Sequence, residues 1–434
     1  MSDGHCASVR MLRSILKNGM WGVIGTGSGR ILNLLAMIFL ARSLNVENYG
    51  YFGLIQSTLG VFGVFAGAGL GITAVRYVAE FRRPDPVRAG RIIGLVQATG
   101  AGTILIVTLI AILSANRISA SLVSSPARQS FAVAFAIGAV FFAILSWRGI
   151  QDSILMGLEM FRDAAAFRLG EGLLVLAFMP ILAWHYGLAG AVAGQALATA
   201  AVCLVAAWQI ARILRAEGIR PDWRGTRHEW RILARFSLPS FLSNLVGTPV
   251  LWLGIYILSQ QPDGIRELAF YNAAYQWHGP LIFIPMALCA ASIPPMVNAW
   301  TSGQYPVFRR LLLRITGINL VVGLVPTAIL IAGSGIIMQS YGPEYVAGQA
   351  ALVWLLFAAV LHATANLFTS ALQSMNRAWV VLTTNSLWGV VFVISGSILI
   401  PGYGATGLAA TFTFAYASLV LIRGIVVILF GARP

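Results

Sequence analysis

The sequence predicts an all-α polytopic membrane protein with twelve transmembrane helices in two six-helix bundles and both termini cytoplasmic. Three observations carry this expectation. Of the 434 residues, 58% are hydrophobic and only 10% charged, whereas a soluble surface takes about 25% charged residues; mean hydropathy is +0.81. Apolar runs of spanning length recur from about residue 19 to about residue 430. Arginines gather in alternate connections between those runs.

A spanning helix takes about 20 mostly apolar residues. Twelve such runs stand at roughly 19–41, 50–79, 91–115, 129–157, 166–185, 187–210, 236–259, 270–297, 311–335, 346–372, 379–400 and 404–430. Ahead of the first, Arg10, Arg13 and Lys17 are followed by no short apolar core with a small-residue cleavage site, so no cleaved signal peptide is expected. Cytoplasmic connections retain positive charge during insertion. With the N-terminus inside, 23 of 27 basic residues in connections fall on the cytoplasmic side, and only Arg42, Arg117, Arg128 and Arg266 fall outside. Arg148, Arg162, Arg168 and Arg423 are counted on the inner side, while Arg30 and Arg76 lie within runs.

The two halves repeat at an offset of 217 residues, half the chain. That shift places Gly172 on Gly389, Ile181-Leu182 on Ile398-Leu399, Tyr186-Gly187 on Tyr403-Gly404 and Gly190 on Gly407. The expected domains are an N-terminal six-helix lobe over 1–211, a basic cytoplasmic linker over 212–235 and a C-terminal six-helix lobe over 236–434. Parallel repeats predict a pseudo-twofold axis along the membrane normal and a substrate site between the halves.

Several chemistries are excluded. The formal charge of +15 would suggest nucleic acid in a soluble protein, but here the basic residues mark topology. Lys17 is the single lysine and is followed by Asn18, so there is no phosphate-binding P-loop. The sequence 25–29, Gly-Thr-Gly-Ser-Gly, resembles part of a dinucleotide loop, yet no strand precedes it and Arg30 occupies the last glycine position. Cys6, Cys203 and Cys289 are too scattered for a metal or redox motif. No cofactor and no metal are expected.

Ionisable groups at bilayer depth cost about 2.5–3.5 kcal/mol each and are candidate functional residues. Arg30 lies some ten residues into the first run, sharing a helix face with Thr26, Asn33 and Met37. Arg148 and Asp152, four apart, are placed to pair, and Glu171 falls early in the fifth run. Tyr271, Tyr275 and His278 share a face beside Trp277; His362, Asn366, Thr369 and Gln373 form a stripe on the tenth run. Each has a purely structural alternative. Arg76 and Arg148 lie near enough to the cytoplasmic ends to snorkel, the stripe and the aromatic face also suit helix packing, and Gly60, Gly63, Gly67 and Gly71 read as a close-packing face. The linker, with seven arginines among Ile213, Leu214, Trp223, Trp230 and Ile232, suits either a topology signal or contact with anionic lipids.

Residues 25–42, with Arg30 inside the first run and Leu40-Ala41-Arg42 leading to Tyr49-Gly50, resemble the opening of Wzx-type polysaccharide-biosynthesis flippases. So do Gly69-Leu70-Gly71 with Arg76-Tyr77-Val78-Ala79, and Tyr341-Gly342-Pro343-Glu344-Tyr345. The resemblance implies the MATE-like fold of the multidrug/oligosaccharidyl-lipid/polysaccharide exporter superfamily, in a bacterial cytoplasmic membrane. It implies as substrate a polyprenyl-diphosphate-linked glycan moved to the outer leaflet for O-antigen, capsule or exopolysaccharide assembly, with polymerase and glycosyltransferase partners and no enzymatic activity. A diphosphate suits a fixed, planar guanidinium, so Arg30 is the first candidate and Arg148 the second; Asn33, His278, His362 and Asn366 complete the candidate substrate contacts, with Tyr271, Tyr275 and Trp277 as stacking surfaces. Asp152 and Glu171 are the candidates for ion coupling. Three other readings stay open: a drug or cation antiporter of the same superfamily, a lipid II flippase of a related family with two further spans, and a membrane-embedded polysaccharide polymerase. The last would need a large outer loop with catalytic groups, which the longest outer segment, 116–128, lacks.

Overall fold

The computed structural model describes residues 25–67, 70–123, 127–223 and 247–431. The expectations for Arg10, Arg13 and Lys17, for linker residues 224–235 and for the start of the 236–259 run lie outside the described residues. Regular structure among the described residues is helical throughout. In chain order the helices are α1 (25–43), α2 (Val46–Gly67), α3 (Leu70–Phe81), α4 (Pro86–Leu122), α5 (Arg128–Gly157), α6 (Phe161–Ala216), α7 (Gly247–Ser259), α8 (Gly264–Tyr275), α9 (His278–Thr301), α10 (Tyr305–Ala332), α11 (Ser334–Tyr341), α12 (Gln349–Ser374) and α13 (Ala378–Gly431). A 3₁₀ turn, Pro343–Gly348, precedes α12.

Seven of these stretches are long and apolar enough to cross a membrane, or eight when the bent pair α2 and α3 counts as one. Their outward faces are apolar: Leu113 is 81% exposed, and Trp184 and Trp379 are 79% exposed. Only hydrocarbon tolerates such faces over so many helices. Helix ends follow local chemistry. Asp85 accepts the Arg88 backbone N–H at 3.0 Å and Pro86 opens α4, so an orphan donor is capped and a missing N–H costs nothing.

The 56-residue α6 and 54-residue α13 each contain one non-helical residue, Gly187 (φ 58°, ψ −138°) and Gly404 (φ 53°, ψ −128°). An unbroken 56-residue helix would be about 84 Å long, against a hydrocarbon core of about 30 Å. The break therefore divides each into two segments of membrane length. The two glycines are 217 residues apart, and the spacing recurs at the preceding turns, where Glu159 and Asn376 both take left-handed φ values of 57° and 58°. The repeat seen in the sequence is thus also written in the backbone. Of the small-residue face on α2 and α3, Gly71 approaches Ser153, where a methyl group would lie 2.8 Å from Oγ, whereas Gly60 opens onto free space.

The chain forms two compact units. The first takes in residues through Ser43 and Thr58–Leu245, the second Leu44–Ser57 and Val246 onward. In the first, Leu70, Ala74, Val78, Ile92, Ile93, Val96 and Ile154 form a buried core between α3, α4 and α5. In the second, Met296, Phe308, Leu367 and Leu372 do so between α9, α10 and α12. Tyr49 and Tyr345, from two stretches far apart in sequence, meet edge to face in the second unit at 5.8 Å between ring centroids.

Candidate functional sites in the two units

In the first unit α1 lies close against the start of α6. A methyl group at Gly25 would stand 2.4 Å from the Ala165 Cβ, and one at Gly29 would stand 3.3 Å from the Arg168 carbonyl oxygen. Gly25 and Gly29, which resembled part of a nucleotide loop, therefore serve helix packing. The close approach lets Arg168 donate from Nη1 to Thr26 Oγ1 at 2.7 Å. Arg168 also donates from Nε and Nη2 to Asp152 Oδ2, at 3.1 and 2.5 Å. Arg148 lies 3.7 Å from Asp152 Oδ1 and 3.9 Å from Glu171 Oε2, with its guanidinium over the Phe167 ring. Glu171 accepts from Thr199 Oγ1 at 3.0 Å.

This network joins two arginines to two carboxylates across α5 and α6. The sequence placed Arg148 beside Asp152, and the structure does the same. Arg148 is only 3% exposed, so it neither snorkels to an interface nor meets bulk solvent. By its place near an inner helix end Arg168 reads as a topology charge, yet it is the nearest ion-pair partner of Asp152. Arg30 stands one turn beyond Thr26 on α1 and is half-buried; Asn33, a turn further, is exposed.

The second unit holds a ladder of rings. Tyr271 stacks on Tyr275 at 5.7 Å, Tyr275 on His278 at 5.3 Å, His278 on His362 at 5.3 Å and His362 on Tyr416 at 4.3 Å, all within 25° of parallel. His278 Nε2 and His362 Nδ1 are 3.4 Å apart. The ladder bends with the chain, because α8 ends at Tyr275 and α9 starts at His278. Asn366 is spent locally, its Nδ2 donating to the His362 carbonyl at 3.4 Å. In the sequence no spacing rule links Tyr416 to His362.

Arg423, whose position in the sequence also reads as an inner-side charge, is 3% exposed. Its guanidinium donates to Thr384 Oγ1 at 3.0 Å, Thr369 Oγ1 at 2.7 Å, Asn385 Oδ1 at 2.7 Å and the Ala365 carbonyl at 3.3 Å. Shifted by 217, Asp152 and Arg168 fall on Thr369 and Asn385. The first unit pairs these positions directly as ions, whereas the second bridges neutral residues with an arginine from the end of the chain. Likewise Glu171 and Thr199, hydrogen-bonded in the first unit, correspond to Trp388 and Tyr416, whose rings meet at 5.6 Å. Matching positions of one backbone repeat thus carry charged pairs in the first unit and neutral polar or aromatic side chains in the second. Among the described residues, no group of three or more His, Cys, Asp or Glu side chains is arranged to hold a metal ion.

Residues 15–300 match the family described as polysaccharide biosynthesis protein. The chain belongs to that family. It is similar to the EPS I polysaccharide export inner membrane protein EpsE of Ralstonia nicotianae, with 26% identity over 419 residues covering 94% of this chain and 93% of that one. It is similar to a putative O-antigen transporter of Shigella flexneri at 22% identity over 412 residues, 92% and 94% of the two chains. Similarity to the lipid III flippase of Escherichia coli is 26% over 252 residues, 55% and 56% of the two. In fold it is similar to a multidrug resistance MATE family transporter of the MOP superfamily in an inward-facing conformation, at a TM-score of 0.74 and 15% identity, covering 92% and 94%. The lipid II flippase MurJ matches at 0.73 and 15% identity, covering 94% and 87%. The chain is therefore a multi-pass membrane protein, all-α among the described residues, with a MATE-like fold.

Proposed function

We propose that this protein is a flippase, not an enzyme, moving a polyprenyl-diphosphate-linked oligosaccharide from the inner to the outer leaflet of the bacterial cytoplasmic membrane. Movement is by alternating access and serves O-antigen, capsule or exopolysaccharide assembly, alongside glycosyltransferases and a polymerase. The observation that carries the reading is the similarity to a polysaccharide export inner membrane protein over 94% of the chain.

The architecture in this reading is twelve spans, with lobes over 1–211 and 236–434, a basic cytoplasmic linker between them that contacts anionic lipids, and cytoplasmic termini. The glycine breaks in α6 and α13 support it, since each makes two spans of one assigned helix. Half-buried Arg30 is the first contact for diphosphate, with Asn33 beside it, because a guanidinium keeps its charge away from bulk water and offers a planar fork to phosphate oxygens. Arg148 has its charge taken by Asp152 and Glu171. Protonation of either carboxylate loosens that hold, so Asp152 and Glu171 couple ion uptake to the moment when Arg148 becomes available to phosphate. The rings of Tyr271 and Tyr275, with His278, His362 and Asn366, form the sugar-facing group.

The antiporter reading is weakened by the same network. A cationic drug needs a free carboxylate, and Asp152 already holds two guanidiniums. The deciding experiment uses purified protein in vesicles with a fluorescent polyprenyl-diphosphate glycan in one arm and a cationic dye in the other. Glycan flipping without dye efflux supports the proposal; dye efflux without glycan flipping overturns it.

A further inference from the structure

Leaving α6, the chain folds back over the first unit. The backbone N–H groups of Glu217, Gly218 and Ile219 return to the carbonyls of Ile213, Arg215 and Leu214 at 3.0, 3.3 and 2.9 Å, with Gly218 left-handed at φ 70°. This is the glycine-terminated helix end in which an apolar residue packs back on the last turn. Ile219, 1% exposed, fills that role in the core with Leu214. Residues 219–223 then cross α4 as a strap at two glycines. A methyl group at Gly90 would lie 2.1 Å from the Arg220 carbonyl oxygen, and one at Gly94 would lie 2.4 Å from that of Asp222. Asp222 N–H donates to the Gly90 carbonyl at 3.1 Å, and Trp223 Nε1 reaches Gln97 Oε1 at 3.4 Å.

The strap borders a cavity of about 270 Å³ within this unit. Its walls are mainly apolar, with Trp147 and Ile150 from α5 and Ala207, Ile210, Ala211 and Leu214 from α6. Of the two glutamines in the lining, Gln97 accepts from Trp223, while Gln151 donates from Nε2 to the Cys203 carbonyl at 3.1 Å and keeps its buried Oε1 without a hydrogen-bond partner. Arg215 and Arg220, both exposed, complete the lining, and among the described residues neither forms an ion pair. The nearby Asp222 carboxylate lies 3.9 Å from Arg91.

We propose that this strapped cavity binds one phosphate-headed lipid, with a hydrocarbon chain between α5 and α6 and its phosphate on Arg215 and Arg220. An apolar space left empty in a bilayer forfeits dispersion contacts on its whole lining, and hydrocarbon chains are the material at hand to fill it. Two guanidiniums beside an apolar slot select a phosphate head over a neutral one. A membrane phospholipid and a polyprenyl phosphate share this chemistry. The inference does not rest on the transport reading.

The test uses the purified full-length protein in detergent, titrated with fluorescent phosphatidylglycerol, phosphatidylcholine of the same chains, and a fluorescent polyprenyl phosphate. At least one of the two anionic probes should bind about tenfold tighter than phosphatidylcholine. Both Ala211→Trp, which fills the cavity, and the pair Arg215→Gln/Arg220→Gln should weaken that binding about tenfold. Preference for phosphatidylglycerol assigns the site to membrane lipid, and preference for the polyprenyl phosphate assigns it to the carrier. Should Ala211→Trp fail to fold, the exposed arginine pair decides alone. Equal binding of charged and uncharged heads, or undiminished binding by the arginine pair, overturns the proposal.

Discussion

Arg168 places two guanidinium N–H groups on a single carboxylate oxygen, Asp152 Oδ2, at 3.1 and 2.5 Å, and a third on Thr26. Asp152 is thereby held from a helix other than its own, with side-chain exposures of 29% for Arg168 and 22% for Asp152. Removing Arg168 leaves the carboxylate short of a partner in a half-dry site. Breaking a fully buried pair costs about 3–5 kcal/mol; the partial exposure here reduces the expected loss for Arg168→Ala to about 2 kcal/mol. Adding Asp152→Asn should restore much of it, since a neutral amide tolerates the vacated site. Thermal unfolding of the single and double variants in detergent checks this, and a double variant no more stable than the single would count against an ionic role.

Arg30 separates function from structure differently. Arg30→Ala should abolish glycan export at normal membrane abundance, and Arg30→Lys should retain part of it, keeping the charge while losing the planar fork. Export and abundance are measured in the same cells. Loss of abundance in Arg30→Ala would mark it as structural, and normal export would remove it from the site.

With no P-loop in the sequence, flipping in vesicles containing only this protein should proceed without ATP and respond to an imposed pH gradient or membrane potential. Glu171→Gln keeps an acceptor for Thr199 but removes the charge beside Arg148, so it should blunt the response to the gradient. A strict ATP requirement would falsify this.

The two glycine breaks should respond unequally to alanine. At Gly187 a methyl group meets nothing within 4 Å, whereas at Gly404 it would lie 2.5 Å from Glu267 Oε2, which accepts the Ala405 N–H at 2.8 Å. Both substitutions place a side chain in a glycine-only backbone region, costing about 1–3 kcal/mol. Gly404→Ala should cost about 1 kcal/mol more through the lost hydrogen bond. Melting temperatures of the two variants test the order.

Reporters fused after residue 230 and after residue 434 should both read out as cytoplasmic, following the arginine bias of the connections. A periplasmic signal from either would overturn the twelve-span topology.

The sequence alone determined the solvent, the helical class and the repeat. Each is one-dimensional: few charges and apolar runs of spanning length leave a bilayer as the only medium, and the 217-residue offset at Gly187 and Gly404 needs no coordinates to be noticed. The i,i+4 pairing of Arg148 with Asp152 was legible for the same reason, since both sit on one helix. Partners on different helices were not. Along the chain, Arg168 and Arg423 look the same as any arginine near a cytoplasmic helix end, where a long side chain is expected to reach the interface. Their inward partners follow from how far each helix turns and how closely its neighbour approaches, through Gly25 and Gly29 against α6 in one unit and through the packing of α12 against α13 in the other. Tyr416 joined the ladder on His362 in the same way. Side chains from separate helices meet only after packing fixes rotation and depth, and neither quantity is carried by sequence spacing.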